Sequence, residues 1–82
     1  MLIDFYQERG TAIATPLCPR LDAVKAPAFR NAAAAIAQQQ LEEDVVVIDL
    51  DHVSYLDMSG MWALLCFGQM IDASREVRLC NL

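Results

Sequence analysis

Asp57, Ser59 and Gly60 stand close together in Asp-Met-Ser-Gly (57–60), where a strand-like run ends and a strongly apolar stretch with helical spacing begins. A serine at such a junction has two uses. Its oxygen caps the unpaired N–H groups of a first helical turn, or its hydroxyl stands free for chemistry. Asp57 is placed to cap or brace the same loop, and Gly60 allows close backbone approach by a partner while leaving the serine uncrowded. No histidine falls near them, because His52 is the only one and reads as a solvated loop residue. Nucleophile, base and orienting group form no recognisable set, so an enzyme in its own right is not expected.

The same inventory argues against metals and cofactors. Cys18, Cys66 and Cys80 are odd in number, widely spaced and set among apolar neighbours, with no C-x-x-C pair. That pattern fits reduced core thiols in a cytoplasmic protein better than a disulfide framework or a zinc site. Six Lys and Arg against eleven Asp and Glu give a formal net charge of −5, with no basic cluster for a nucleic acid or an anionic membrane. No leader is visible, and no apolar run approaches the roughly 18 to 20 residues that span a bilayer. One small domain over residues 1–82 is expected.

The elements that must position Ser59 follow from pattern. "LIDFYQ", "ERG" and "TAIATPL" predict two strands joined by a turn at Gly10, with Pro16 marking either an edge strand or the strand's end. "CPRLDAVKAP" reads as a connection into a helix opened by Pro27 and running to about Gln40. Phe29, Ala33, Ile36 and Gln40 form its one bulky stripe, flanked by Ala32 and Ala37. "VVVIDL" lacks alternation and predicts a central strand buried on both faces. A second helix is expected from Ser59 to about Ser74 with Met61, Leu64, Leu65 and Gly68 on its packed side, then a strand at "VRLCNL". The order β-β-α-β-α-β requires crossovers, so the fold class is α/β with a mixed, mostly parallel sheet and helices packed on it.

At this point the residues resemble a known family. Residues 20–65 contain a strand ending in Leu-Asp (21–22), a helix opening with A-P-x-F-R (26–30), a V-V-x-D-L strand and L-D-x-S-G (56–60) leading into a helix. That succession resembles the STAS domain of bacterial anti-sigma-factor antagonists and of sulfate-transporter tails. The resemblance implies that Ser59 is phosphorylated by a partner kinase, with Asp22, Asp57 and Gly60 as the surround of the phosphosite. It further implies an antagonist that binds a kinase-type anti-sigma factor, or another STAS-binding regulator, while unphosphorylated and is released on phosphorylation. Asp22 is open to a plainer reading as a turn or cap residue.

Two residues depart from the family pattern. Met58 stands where a second serine is usual, and Trp62 where a small residue is usual. Four positions apart, they stack on one helical face beside Ser59 and are expected to form an apolar partner patch, or in the plainer reading to be packing residues. The pattern also continues past "VRLCNL" with a C-terminal helical layer absent here, so apolar surface and a homo-oligomer are expected. The alternative is a non-switching STAS module, a structural subunit of a signalling complex or a transporter accessory. A looser similarity to receiver domains rests on Asp49 at a strand end. The only lysine, Lys25, lies upstream, which disfavours it.

Overall fold

The β-branched run at 45–49 organises the molecule. In the computed structural model, which describes residues 2–39, 43–71 and 75–81, it forms β4 (Val45–Asp49). β2 (Thr11–Pro16) and β6 (Glu76–Cys80) lie parallel on either side of it, and β1 (Ile3–Glu8) pairs antiparallel with β2, so the order is β1-β2-β4-β6. The sheet is mixed and mostly parallel, as the alternation of strands and helices demands. Arg9 and Gly10, at φ 47° and 81°, make the two-residue turn between β1 and β2, the geometry that matches the twist of a hairpin. β2 is an interior strand, so Pro16 marks its end and not an edge.

Burial on β4 alternates. Val46 and Ile48 are fully buried while Val45, Val47 and Asp49 are half-buried, so the expectation of a strand closed on both faces holds for one face only. Val46 and Ile48, with Ala12 and Ala14 of β2, form one core with α1 (Ala26–Ala37) and α2 (Met58–Met70). Phe29 and Phe67 meet edge to face at 6.0 Å between ring centroids and join the two helices. On α1 the buried residues are Ala26, Phe29, Ala33 and Ile36, close to the stripe expected. The helix stops at Ala37, and Gln40 lies outside the described residues.

On α2 two expectations are corrected. The helix begins one residue earlier, at Met58, and ends at Met70, while Ser74 lies outside the described residues. Its buried face is Gly60, Ala63, Leu64 and Phe67, whereas Met61 and Leu65 are exposed. The segment is apolar almost all the way round, so period alone does not select a face. Gly60 selects it: a Cβ there would lie 2.0 Å from the Leu21 carbonyl oxygen, and only a bare backbone fits.

Two short strands are additional to the expected order. β3 (Arg20–Leu21) and β5 (Tyr55–Leu56) pair in parallel as a separate ladder; the first is the strand ending in Leu-Asp that the family resemblance implies, inside a stretch that pattern alone gives as a connection, and the second is the end of the strand-like run before Asp57. Two residues carry no readable period. Their importance is positional, because each immediately precedes the entry to a helix.

Candidate functional site

The β3–β5 ladder brings the starts of both helices side by side. The backbone N–H groups of Ser54 and Tyr55 donate to the Pro19 carbonyl at 2.8 and 3.1 Å, and that of Asp57 faces the Leu21 carbonyl at 3.5 Å. Asp57 leaves the ladder in extended conformation and caps α2. Its Oδ1 accepts from the Gly60 N–H at 2.9 Å, while Oδ2 accepts from the Ala23 N–H at 3.3 Å. One carboxylate therefore satisfies an orphan donor of α2 and ties that helix to the segment entering α1.

Ser59 is thereby relieved of capping. It is the second residue of α2, half-buried, and its hydroxyl has no hydrogen-bond partner among the described residues. It opens on a groove of about 210 Å³ lined by Ser59, Trp62 and Ala63 from α2 and by Ala26, Pro27 and Arg30 from α1. Trp62, at its rim, and Met58, one helical turn before Trp62 and next to Ser59 in the chain, are 62% and 72% exposed. Exposed to that degree, neither side chain is a core packing residue. Arg30, which pattern alone did not single out, is exposed and has no hydrogen bond or ion pair among the described residues. Its only sequence signal is its place at the end of the A-P-x-F-R stretch.

The other surround residues are placed differently from expectation. Gly60 is buried, and the close approach it permits is that of its own helix to β3. Asp22 closes the turn into α1: Oδ1 accepts from the N–H groups of Val24 and Lys25 at 3.2 Å each, and its carbonyl accepts from Lys25 and Ala26. Oδ2 lies 3.5 Å from Arg20 Nε, and that guanidinium sits 4.1 Å from the centroid of the Tyr55 ring. The Asp22 carboxylate does not line the Ser59 groove. Its plainer role, as a turn residue, is the one the geometry supports; the residue at the cap of α1 is Lys25, with no side-chain cap.

A model of the STAS domain matches residues 6–82. The chain belongs to the STAS domain family. Its fold is similar to that of a crystal structure described as an anti-sigma factor antagonist from Mycobacterium paratuberculosis, with a TM-score of 0.77 at 21% identity. The likeness covers 94% of this chain and 63% of that one, so this STAS domain spans less than two thirds of its neighbour's length. Identity at that level establishes the shared fold. No match is found among curated proteins. In this STAS domain the L-D-x-S-G motif has a direct physical meaning: Leu56 ends the short ladder, Asp57 caps, Ser59 is left free, and Gly60 lets the turn pack against β3.

Elsewhere on the STAS domain, a second groove of about 390 Å³ runs between α2 and β6. It is apolar, formed by Met61, Leu64, Leu65 and Gly68 on the helix and Val77 and Leu79 on the strand. Asp49, at the end of β4, accepts from Asn81 Nδ2 at 2.6 Å and from the Asp51 N–H at 3.0 Å, which holds its carboxyl below the ordinary 3.8. Burial pushes the Cys18 thiol up, and desolvation followed by the Asp49 charge does the same to Cys80. Raised thiols are poor nucleophiles. Cys18 is buried while Cys66 and Cys80 are half-buried, so only the first is a full core residue. His52 is exposed in a turn. Among the described residues no group of three His, Cys, Asp or Glu side chains is placed to hold a metal, and no helix is long and apolar enough to cross a membrane.

Proposed function

We propose that this STAS domain is a cytoplasmic anti-sigma-factor antagonist-like phosphoprotein. Unphosphorylated, it binds a kinase-type anti-sigma factor over the surface formed by Met58, Ser59 and Trp62; phosphorylation of Ser59 releases it. The observation that supports this is the uncommitted Ser59 hydroxyl beside two exposed apolar side chains, capping having passed to Asp57. In the transfer, the γ-phosphoryl of ATP moves to Ser59 Oγ, ADP leaves, and the hydroxyl proton goes to a base of the kinase. The partner supplies nucleotide, Mg²⁺ and base. The domain is substrate and binding module.

A phosphate at Ser59 adds about −1.5 to −2 charges at a helix start, where anions are stabilised by roughly 0.3 to 1 kcal/mol. It therefore leaves the fold intact. Its effect falls on the contact, because a doubly charged group set beside Met58 and Trp62 must lose its water when a partner covers it. Incubation with candidate kinases and ATP is expected to add one phosphate mass that Ser59→Ala abolishes. Failure of every kinase that binds the domain to transfer phosphate sinks the switch. The second reading, a non-switching structural module, draws on the apolar α2–β6 groove, and binding that Ser59→Asp leaves unchanged would favour it.

A further inference from the structure

Arg30 and Ser59 line the same groove from different helices, and nothing among the described residues engages either side chain. The other cations near the helix starts are differently committed. Arg20 is stacked on Tyr55 and paired with Asp22, and Lys25, at the residue preceding α1, does not line the groove. Arg30 is the one charged side chain among the groove's lining residues. A guanidinium presents a planar fork of donors that matches two phosphate oxygens, which a lysine ammonium does not.

We propose that Arg30 is the intramolecular receptor of the Ser59 phosphate: once the phosphoryl group is in place, the guanidinium closes across the groove onto it and clasps α1 to α2. This rests on the reading of Ser59 as the phosphorylated residue and adds what the modification does within the domain. In the unmodified protein Arg30 offers a cation free among the described residues, in the groove it shares with Trp62 and open to an acidic group of a partner. The phosphate takes that cation. Release then combines two losses for the partner, an apolar surface interrupted by charge and a cation neutralised from within.

The charged groups on the elements meeting at this point are Arg30 on α1, Arg20 on β3 in its pair with Asp22, Lys25 just before α1, and Asp57 just before α2. The two carboxylates raise the second ionisation of a phosphate at Ser59, while Arg30 lowers it. Phosphoserine is installed at position 59 during translation by stop-codon suppression, so the experiment needs no kinase. The ³¹P resonance is titrated in the wild type, Arg30→Gln, Arg30→Lys and Lys25→Gln. Arg30→Gln is expected to raise the phosphate pKa by on the order of half a unit to one unit, Arg30→Lys by less, and Lys25→Gln hardly at all.

A second readout needs no substitution at Arg30. In ¹⁵N-labelled protein its side-chain Nε–H resonance is expected to shift and to sharpen when residue 59 is phosphorylated. Titration curves that coincide for wild type and Arg30→Gln, or an Arg30 resonance indifferent to phosphorylation, overturn the clasp. These results are separate from those of kinase assays: a clasp can fail in a protein that is phosphorylated, and an installed phosphate reports on Arg30 even if no kinase is found.

Discussion

A helix start needs acceptors for its first N–H groups, and Asp57 and Ser59 both have the right chemistry for that role. The structure assigns it to Asp57, whose two oxygens serve Gly60 and Ala23. Asp57→Ala is therefore expected to cost about 1 to 2 kcal/mol in urea unfolding, whereas Ser59→Ala should stay within about 0.5 kcal/mol. The opposite ranking would show that the cap is misassigned. In the sequence both residues have the chemistry of a cap and lie only two positions apart; an offset that small at a helix end is decided by the ladder delivering the chain. Trp62→Ala tests the patch: partner affinity should fall at least tenfold with the circular dichroism spectrum unchanged. At the other end of β4, Asp49 is held below 3.8 chiefly by Asn81. A depressed carboxyl favours the ionised native state, so its contribution is complete above the unfolded value and lost as pH falls through the folded one. Asn81 has φ 59°, which makes Asn81→Gly the variant that removes the side chain without straining the backbone. The stability gap between wild type and Asn81→Gly should be full at pH 7 and shrink below about pH 3.8; a gap constant down to pH 2 would contradict the assignment.

Helix and strand patterns revealed most of what frames the site and missed what aligns it. β1, β2, α1, β4, α2 and β6 were all legible, since each is long enough to show a period or a β-branched run. β3 and β5 showed only as the strand ending in Leu-Asp (21–22) and the strand-like run before Asp57; two residues have no period to fix their pairing, yet that pairing sets the helix starts next to each other. The packed face of α2 is legible only at Leu64, for a helix apolar on nearly every side gives no preferred direction. What fixes it is the steric demand at Gly60, a tertiary fact invisible in one sequence. Gly60→Ala would place a Cβ 2.0 Å from the Leu21 carbonyl oxygen and 2.7 Å from a Leu56 methyl, so α2 must move off the β3–β5 ladder. The expected result is loss of several kcal/mol in place of the roughly 1 kcal/mol gain alanine brings elsewhere in a helix. Unfolding by urea measures it, and a stabilised Gly60→Ala would mean that the helix does not approach β3 so closely. Phe67→Ala, which removes the edge-to-face contact with Phe29, should cost about 3 to 5 kcal/mol, much of the total stability of so small a domain.

At the scale of the molecule, the apolar groove between α2 and β6 adjoins an unpaired strand edge, since β6 ends the sheet among the described residues. Such an edge is a template for another strand. The sequence of β6 suits a second copy of itself. In an antiparallel pairing centred on Val77, each Glu76 falls opposite the Arg78 of the other copy, and Val77 faces Val77 on the groove side. Within one chain Glu76 and Arg78 already pair, and both are well exposed, so exchanging partners across a two-fold axis sacrifices little. Directly opposed charges of unlike sign add modestly to a strand pair and those of like sign oppose it, so the register is favoured more by the charges than by the valines. A C₂ dimer is the expected state, with the Met61 and Leu65 side chains of both copies drawn toward the shared edge. Sedimentation should show a dimer at micromolar concentration, and Arg78→Glu, which sets glutamates opposite each other, should weaken it at least tenfold. The compensating pair Glu76→Arg with Arg78→Glu restores opposite charges across the axis and should restore the dimer. A monomer in every variant and at every concentration would remove the edge as an interface, while a dimer indifferent to these charges would place the contact on another face.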